Sequence, residues 1–198
     1  MLIDINKIKH NAKTIVKLAS KQGINITGVT KASCGDPLVA KAMLDGGVSS
    51  IGDSRLYNIK KLKESGLKTE FIQLRTPMIS EIEEVVEFAD ISLNSELIVI
   101  KHLSKQAIKK GKIHNIILMI EMGDLREGAN IEELNHMVSN ILNYQGINLY
   151  GIGMNLACFG GVVPTEEKII KFEEIVKNIE DNFNLKFKKP LYKVLFLM

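Results

Sequence analysis

Cysteine is scarce in this chain: there are two in 198 residues, Cys34 and Cys158, too few for a disulfide framework and suited to a reducing compartment. Neither belongs to a CxxC pair, and the four histidines, His10, His102, His114 and His136, lack ligand spacing, so a zinc site is not expected. No apolar run approaches the ~20 residues that span a bilayer. The N-terminus, Met1-Leu2-Ile3-Asp4-Ile5-Asn6, has neither the basic region nor the cleavage site of a signal peptide, which leads to the expectation of a cytoplasmic protein with no membrane partner. An excess of one charge is also missing. Lys and Arg number 26 against 23 Asp and Glu, and the basic residues spread along segments such as Lys101 to Lys112 without interleaved aromatics, so nucleic-acid binding is not expected. What remains is 45% hydrophobic and 25% charged with a mean hydropathy of +0.07, a globular composition able to bury a core.

The chain alternates helical and extended patterns with short connections. Ile5, Ile8, Ala12, Ile15 and Leu18 mark one face of an opening helix that Gly23 stops. An apolar strand follows at about Ile24 to Thr30, and Asp36-Pro37 opens the next helix with an N-cap and a first-turn proline. Further strands are predicted at Val48 to Ile51, Glu70 to Leu74, Ile91 to Leu93, Asn115 to Glu121 and Asn148 to Met154, each followed by a helix. Ser80 with Glu83 has capping-box spacing, and Asn94-Ser95-Glu96 is expected to start the long helix ending at Gly111. Six strand and helix units imply a parallel sheet. An eight-stranded barrel needs about 250 residues, so length favours an open doubly wound sheet. The missing GxGxxG and GxxxxGK[ST] count against the nucleotide-binding versions of that sheet, and both closures remain open at this level.

The strand ends carry the chemistry. Ligands of parallel α/β proteins bind at the carboxyl ends of the strands, which here carry Lys31, Asp53 with Arg55, Arg75, Asn94, Arg126 and Asn155. One lysine, several arginines and two amides around an apolar floor suit an anionic, planar, phosphate-bearing ligand. Lys31 ends an apolar strand where a helix is about to begin, a place where a partly desolvated amine can form a Schiff base with a carbonyl cofactor. Gly123 and Gly128 flank Arg126 and let the backbone bend tightly, which is expected to aim the guanidinium inward. Cys34 and Cys158 read as small unpaired residues near the rim.

Four motifs in order carry a family likeness: Val29-Thr30-Lys31 with Cys34-Gly35-Asp36-Pro37, Ile51-Gly52-Asp53-Ser54-Arg55, Gly123-Asp124-Leu125-Arg126-Glu127-Gly128, and Gly151-Ile152-Gly153-Met154-Asn155-Leu156. Together they resemble the alanine racemase superfamily of pyridoxal 5'-phosphate enzymes, nearest its ornithine racemase-like branch. The resemblance implies a (β/α) TIM-barrel over residues 1–186, incomplete at about six to seven of eight strands, followed by a divergent tail, 187–198, with the family's C-terminal β-domain absent. It implies that Lys31 forms the Schiff base and is one of two bases at the α-carbon of an amino-acid substrate, ornithine or alanine. Arg126 matches the arginine near the cofactor's phenolic oxygen, Asn155 falls where many relatives carry a histidine against the pyridine ring, and Asp53 and Arg55 belong to the cofactor-binding set.

The family continues with a Gly-Gly-Asn-Ser-like phosphate turn after a seventh strand, whereas this chain reads Phe187-Lys188-Lys189-Pro190 and then Leu191 to Met198, expected to occupy the seventh-strand slot. Such a chain reads as a truncated racemase whose open edges are expected to give marginal stability, self-association or both, while the resemblance implies a homodimer. The competing expectation is a non-catalytic pyridoxal-phosphate-binding protein that holds and delivers the cofactor.

Overall fold

The computed structural model describes residues 2–156, 162–187 and 194–197. They form two compact units, one of Met1–Arg75, Glu83–Ser92 and Lys193–Met198, the other of Thr76–Ile82 and Leu93–Tyr192.

In the first unit, α1 (Ile5–Ser20) leads into β1 (Asn25–Val29), followed by α2 (Pro37–Asp45), β2 (Ser50–Asp53), α3 (Leu56–Glu64) and β3 (Glu70–Gln73). α1 starts where the Asp4 carboxylate accepts from the Asn6 and Lys7 N–H groups, a side-chain N-cap. Every strand pair is parallel: β1 pairs with β2, β2 with β3, and β3 with the start of β4 (Ile91–Asn94). Ile26, Ile51, Ile59, Leu62, Phe71 and Val85 are fully buried and fill the layer between strands and helices. α1 and α2 touch closely at Gly46, where an added Cβ would stand 2.6 Å from the Ala12 Cβ.

Two expectations shift here. β2 begins and ends two residues later than the apolar run Val48 to Ile51 suggests. The Val48 N–H donates to the Met43 carbonyl and so belongs to the end of α2, while Gly52 and Asp53 pair with Val29 and Gln73 as ladder residues. Ser80 is not an N-cap, because a 3-10 turn at Ile79–Glu81 precedes α4 (Ile82–Phe88).

A last strand, β7 (Val194–Leu197), lies beside β1 in parallel, Asn25 to Gly28 opposite Val194 to Leu197. The tail was expected in the seventh-strand slot; in an eight-stranded parallel barrel the neighbour of β1 opposite β2 is the eighth strand. A ladder along that side of β1 satisfies backbone groups that β2 cannot reach.

The second unit contains α5 (Leu97–Lys109), β5 (His114–Ile120), α6 (Leu134–Leu142), β6 (Ile147–Met154) and α7 (Glu166–Phe183). β5 and β6 pair in parallel with a shift of register between Ile116 and Ile117, opposite Leu149 and Gly151. Ile116 through Ile120 are buried without alternation, as a strand covered on both faces requires. Leu103, Val138, Ile141 and Phe172 supply the fully buried helical side of this core.

Candidate functional site

Strand parity sorts the first unit's polar groups. Gly28 faces α2, since an added Cβ would meet the Met43 sulfur at 2.8 Å. Alternation then puts Thr30, Ile51, Asp53, Phe71 and Gln73 on that helix side, with Thr27, Val29, Ser50 and Gly52 on the other. The Thr27 and Ser50 hydroxyls confirm the second set by hydrogen bonding at 2.7 Å.

Beyond β1 the chain folds into a short ring. Thr30 donates its N–H to the Gly52 carbonyl at 3.0 Å, then turns at φ −102° and ψ 2° into a 3-10 turn, Lys31–Ser33. The Ser33 and Gly35 N–H groups return to the Thr30 carbonyl at 3.0 and 3.2 Å, and the Cys34 N–H donates to the Lys31 carbonyl at 3.4 Å. Lys31 opens this turn and is half-buried. Cys34 is exposed in the left-handed region at φ 51°, and Gly35 follows at φ 62°. The Asp36 carboxylate then accepts from the Leu38 and Val39 N–H groups, and the helix expected from Asp36-Pro37 begins.

Asp53 is 0% exposed, and its carboxylate is saturated by neutral donors. Oδ2 accepts from the Thr30 hydroxyl at 2.8 Å, Oδ1 from the Arg55 N–H at 2.9 Å, and both oxygens lie 3.1 Å from the Asn58 amide nitrogen. Arg55 therefore meets Asp53 through its backbone, while its side chain, like that of Arg75, is exposed. Asn58, 3% exposed, also backs the Lys31 ring, because a Cβ at Gly35 would stand 2.7 Å from its own Cβ.

The second unit brings Asn155 to the turn that carries Arg126. Asn155 lies just past β6, half-buried, and its amide nitrogen donates to Asp124 Oδ2 at 3.3 Å. The turn is pinned to β5 by backbone: the Ala129 N–H donates to the Met119 carbonyl at 2.8 Å and the Glu121 N–H to the Ala129 carbonyl at 3.1 Å. Gly123 and Gly128 have φ of 112° and 144°, and the Gly123 N–H donates to the Glu121 carboxylate. Leu125 also turns left-handed at φ 51° and is 88% exposed. Arg126 is exposed too, whereas a guanidinium turned inward was expected. Asn94 belongs to β4 itself and is fully buried, instead of opening a helix.

Sequence reasoning passed over Thr30, Asn58, Asp124 and Lys168. Lys168 of α7 reaches the Met122 carbonyl with its ammonium at 3.2 Å. Only Asn58 left a readable signal, an amide one helical turn beyond a carboxylate at a strand end. Cys158 lies outside the described residues. Among the described residues no group of three or more His, Cys, Asp or Glu could hold a metal ion, and no helix is long and apolar enough to cross a membrane. His114, 2% exposed at the start of β5, has its pKa lowered to about 4 by burial.

Comparison with known proteins bears on the chain as a whole. Residues 3–189 match the family described as Alanine racemase, N-terminal domain. The chain is 40% identical over 184 residues to an ornithine racemase of Acetoanaerobium sticklandii, covering 92% of this chain and 52% of that protein. It is 37% identical over 187 residues to a lysine racemase of Thermotoga maritima, with 93% and 52% covered. The chain thus spans about half the length of the curated relatives it matches. Among solved structures, an alanine racemase from Bacillus anthracis with bound L-Ala-P superposes with a TM-score of 0.81 at 17% identity, covering 98% of this chain and 50% of the other. A D-threonine aldolase from Filomicrobium marinum gives 0.79 at 12% identity, covering 96% and 54%; at such identities the likeness is one of fold.

Proposed function

The chain belongs to the alanine racemase N-terminal domain family, and from that premise we propose that it is the barrel part of a pyridoxal 5'-phosphate-dependent racemase acting on a basic amino acid, ornithine or lysine, ahead of alanine. The observation that carries this reading is Lys31: a half-buried amine at the carboxyl end of β1, on a turn closed by its own backbone. The names of the two relatives, each sharing more than a third of its aligned residues with this chain, support the substrate class.

Each donor, taken by itself, has chemistry that suits the cofactor. Lys31 supplies an amine able to link to an aldehyde, Arg126 a cation that no working pH removes, and Asn155 an amide whose orientation Asp124 holds. When bound, pyridoxal phosphate supplies an electron sink that acidifies the α-hydrogen of an attached amino acid. In this reading Lys31 Nζ would accept the α-proton on one face and return it there. Arg126 would hold negative charge on the cofactor, and Asn155 would hold its ring without titrating. Arg55, exposed at the start of α3, would belong to the cofactor-binding set as a further positive charge. The second base belongs to a further domain or a partner copy, so the homodimer of the family and a cytoplasmic setting are parts of the same proposal.

The test is deuterium exchange at the α-carbon of ornithine, lysine and alanine, incubated with the 198-residue chain and pyridoxal phosphate in heavy water. With one base in place, one enantiomer of a basic amino acid should exchange faster than the other, and Lys31→Ala should abolish the exchange. Cofactor held firmly at Lys31 without any α-exchange would instead assign the chain to cofactor binding and delivery.

A further inference from the structure

We infer that Asp53 and Asn58 form a positioning clamp for Lys31, acting through Thr30 and Gly35 instead of touching the cofactor; the inference rests on Lys31 being the cofactor-linking amine. The ring that carries Lys31 has two posts. Thr30 precedes Lys31 directly, and its carbonyl collects the Ser33 and Gly35 N–H groups, so the position of Thr30 sets that of the whole turn. Gly35 closes the ring at φ 62°, with the Asn58 side chain filling the space where a Cβ would stand.

One buried carboxylate ties both posts down. Asp53 Oδ2 holds the Thr30 hydroxyl at 2.8 Å, and the carboxylate holds the Asn58 amide through both oxygens at 3.1 Å. Thr30, Asp53 and Asn58 are 0%, 0% and 3% exposed, so water cannot substitute for any of these bonds. Parity explains why the group positions and does not bind: Asp53 points to the helix side with Thr30 and Gln73 and has spent its acceptors there. Its residue type is also specific. An amide in its place keeps one acceptor and turns an N–H toward the Arg55 N–H or the Asn58 amide nitrogen, a donor facing a donor, or toward the Thr30 hydroxyl, which can accept that N–H but loses its own buried acceptor.

Near-attack geometry is what such a clamp provides, and small misplacements of a reacting group are costly. A large aldehyde that must dock before it reacts should feel the loss, whereas a small aldehyde needing no orientation should not. The experiment uses the full 198-residue chain as wild type, Thr30→Val, Thr30→Ser and Asp53→Asn. Each is treated with pyridoxal phosphate and borohydride, and in parallel with formaldehyde and cyanoborohydride, then mapped by peptide with exposed Lys13 as the internal standard. Amide hydrogen exchange at Ser33 and Gly35 is recorded on the same samples.

The clamp predicts that Thr30→Val, nearly isosteric, lowers pyridoxal-phosphate capture at Lys31 by about tenfold. Thr30→Ser, which keeps the hydroxyl, should restore capture to within about twofold. Asp53→Asn should match or exceed Thr30→Val, and formaldehyde labelling of Lys31 relative to Lys13 should change by less than about twofold in every variant. Full capture in Thr30→Val, failure of the serine to rescue, or an equal loss with both aldehydes overturns the inference. If the wild type captures the cofactor at another lysine, the reading of Lys31 fails on its own. The clamp then stands only if exchange at Ser33 and Gly35 rises about tenfold in Thr30→Val but not in Thr30→Ser.

Discussion

The loop after β1 and the loop after β5 both leave the carboxyl end of a strand and both are closed by backbone bonds, yet they differ in their side-chain support: fully buried groups brace the first, while exposed or part-buried contacts from Glu121, Asn155 and Lys168 serve the second. The first is a ring of six residues, Thr30 to Gly35, braced from behind by side chains that are almost wholly buried. The second, Glu121 to Ala129, is closed by backbone bonds to Met119 and Ala129 and shaped by glycines at φ 112° and 144°, with Leu125 and Arg126 left exposed. A side-chain brace fixes where a residue stands, because moving it strands a buried donor or acceptor. A backbone closure fixes only the path of the chain. In the proposed function, Lys31 as an amine that must meet one carbon atom suits the first construction, and Arg126 as a guanidinium that balances charge suits the second.

Breaking the brace should cost the most. Asp53→Ala leaves the Thr30 hydroxyl, the Arg55 N–H and the Asn58 amide without their acceptor. The unfolding free energy measured in denaturant should fall by about 4 kcal/mol, the sum of three orphaned donors. A fall of less than about 1 kcal/mol would mean that the brace bears little load.

Acid should separate the two units next. His114 of the second unit has a folded pKa of about 4 against an ordinary value of 6.5, so the unfolded chain takes up the proton first. The stabilisation from the neutral ring is complete above pH 6.5 and is lost as pH falls through that value toward 4, by about 3 kcal/mol at most. Denaturant melts between pH 7 and 4 should show this slope, and His114→Gln should flatten it. Hydrogen exchange should find the acid loosening in β5 before it reaches the Thr30 to Gly35 ring.

The backbone closure should break more gently. In Gly128→Ala the new Cβ would collide with the backbone nitrogen of Glu121 at a φ that alanine avoids, costing about 2 kcal/mol and raising exchange at Ala129. Leu125→Asn is the smallest change. Asparagine tolerates the left-handed region better than leucine, and the substitution at this exposed site should stabilise the chain by about 0.5 kcal/mol, read as a small rise in Tm.

Much of the fold was legible because alternating elements and their caps are local signals. Asp36 caps the helix that its sequence announces, and the parallel pairing follows from helices between successive strands. Errors fell where backbone pairing overrides side-chain character. Val48 reads as strand and belongs to a helix end, while Gly52-Asp53 reads as a turn and belongs to the ladder. That shift of two residues hid the brace, since only a strand position gives Asp53 a defined side. The tail shows the same limit: Val194 to Leu197 is evidently strand-like, but its choice of β1 as neighbour depends on which edge stands open. At the candidate site, the position of Lys31 at the end of β1 was legible from its place between an apolar strand and Gly35-Asp36-Pro37. Thr30 was not, and Asn58 left only its spacing from Asp53, because what marks both is a shared buried acceptor, a property of three segments at once.

The measurement closest to the central claim is the absorbance of the chain after incubation with pyridoxal phosphate, followed by borohydride trapping and peptide mapping. The account predicts a chromophore in the near-ultraviolet to violet that Lys31→Ala abolishes, with the label on the peptide containing Lys31. The same chromophore in Lys31→Ala, or a label on any other lysine, would contradict it.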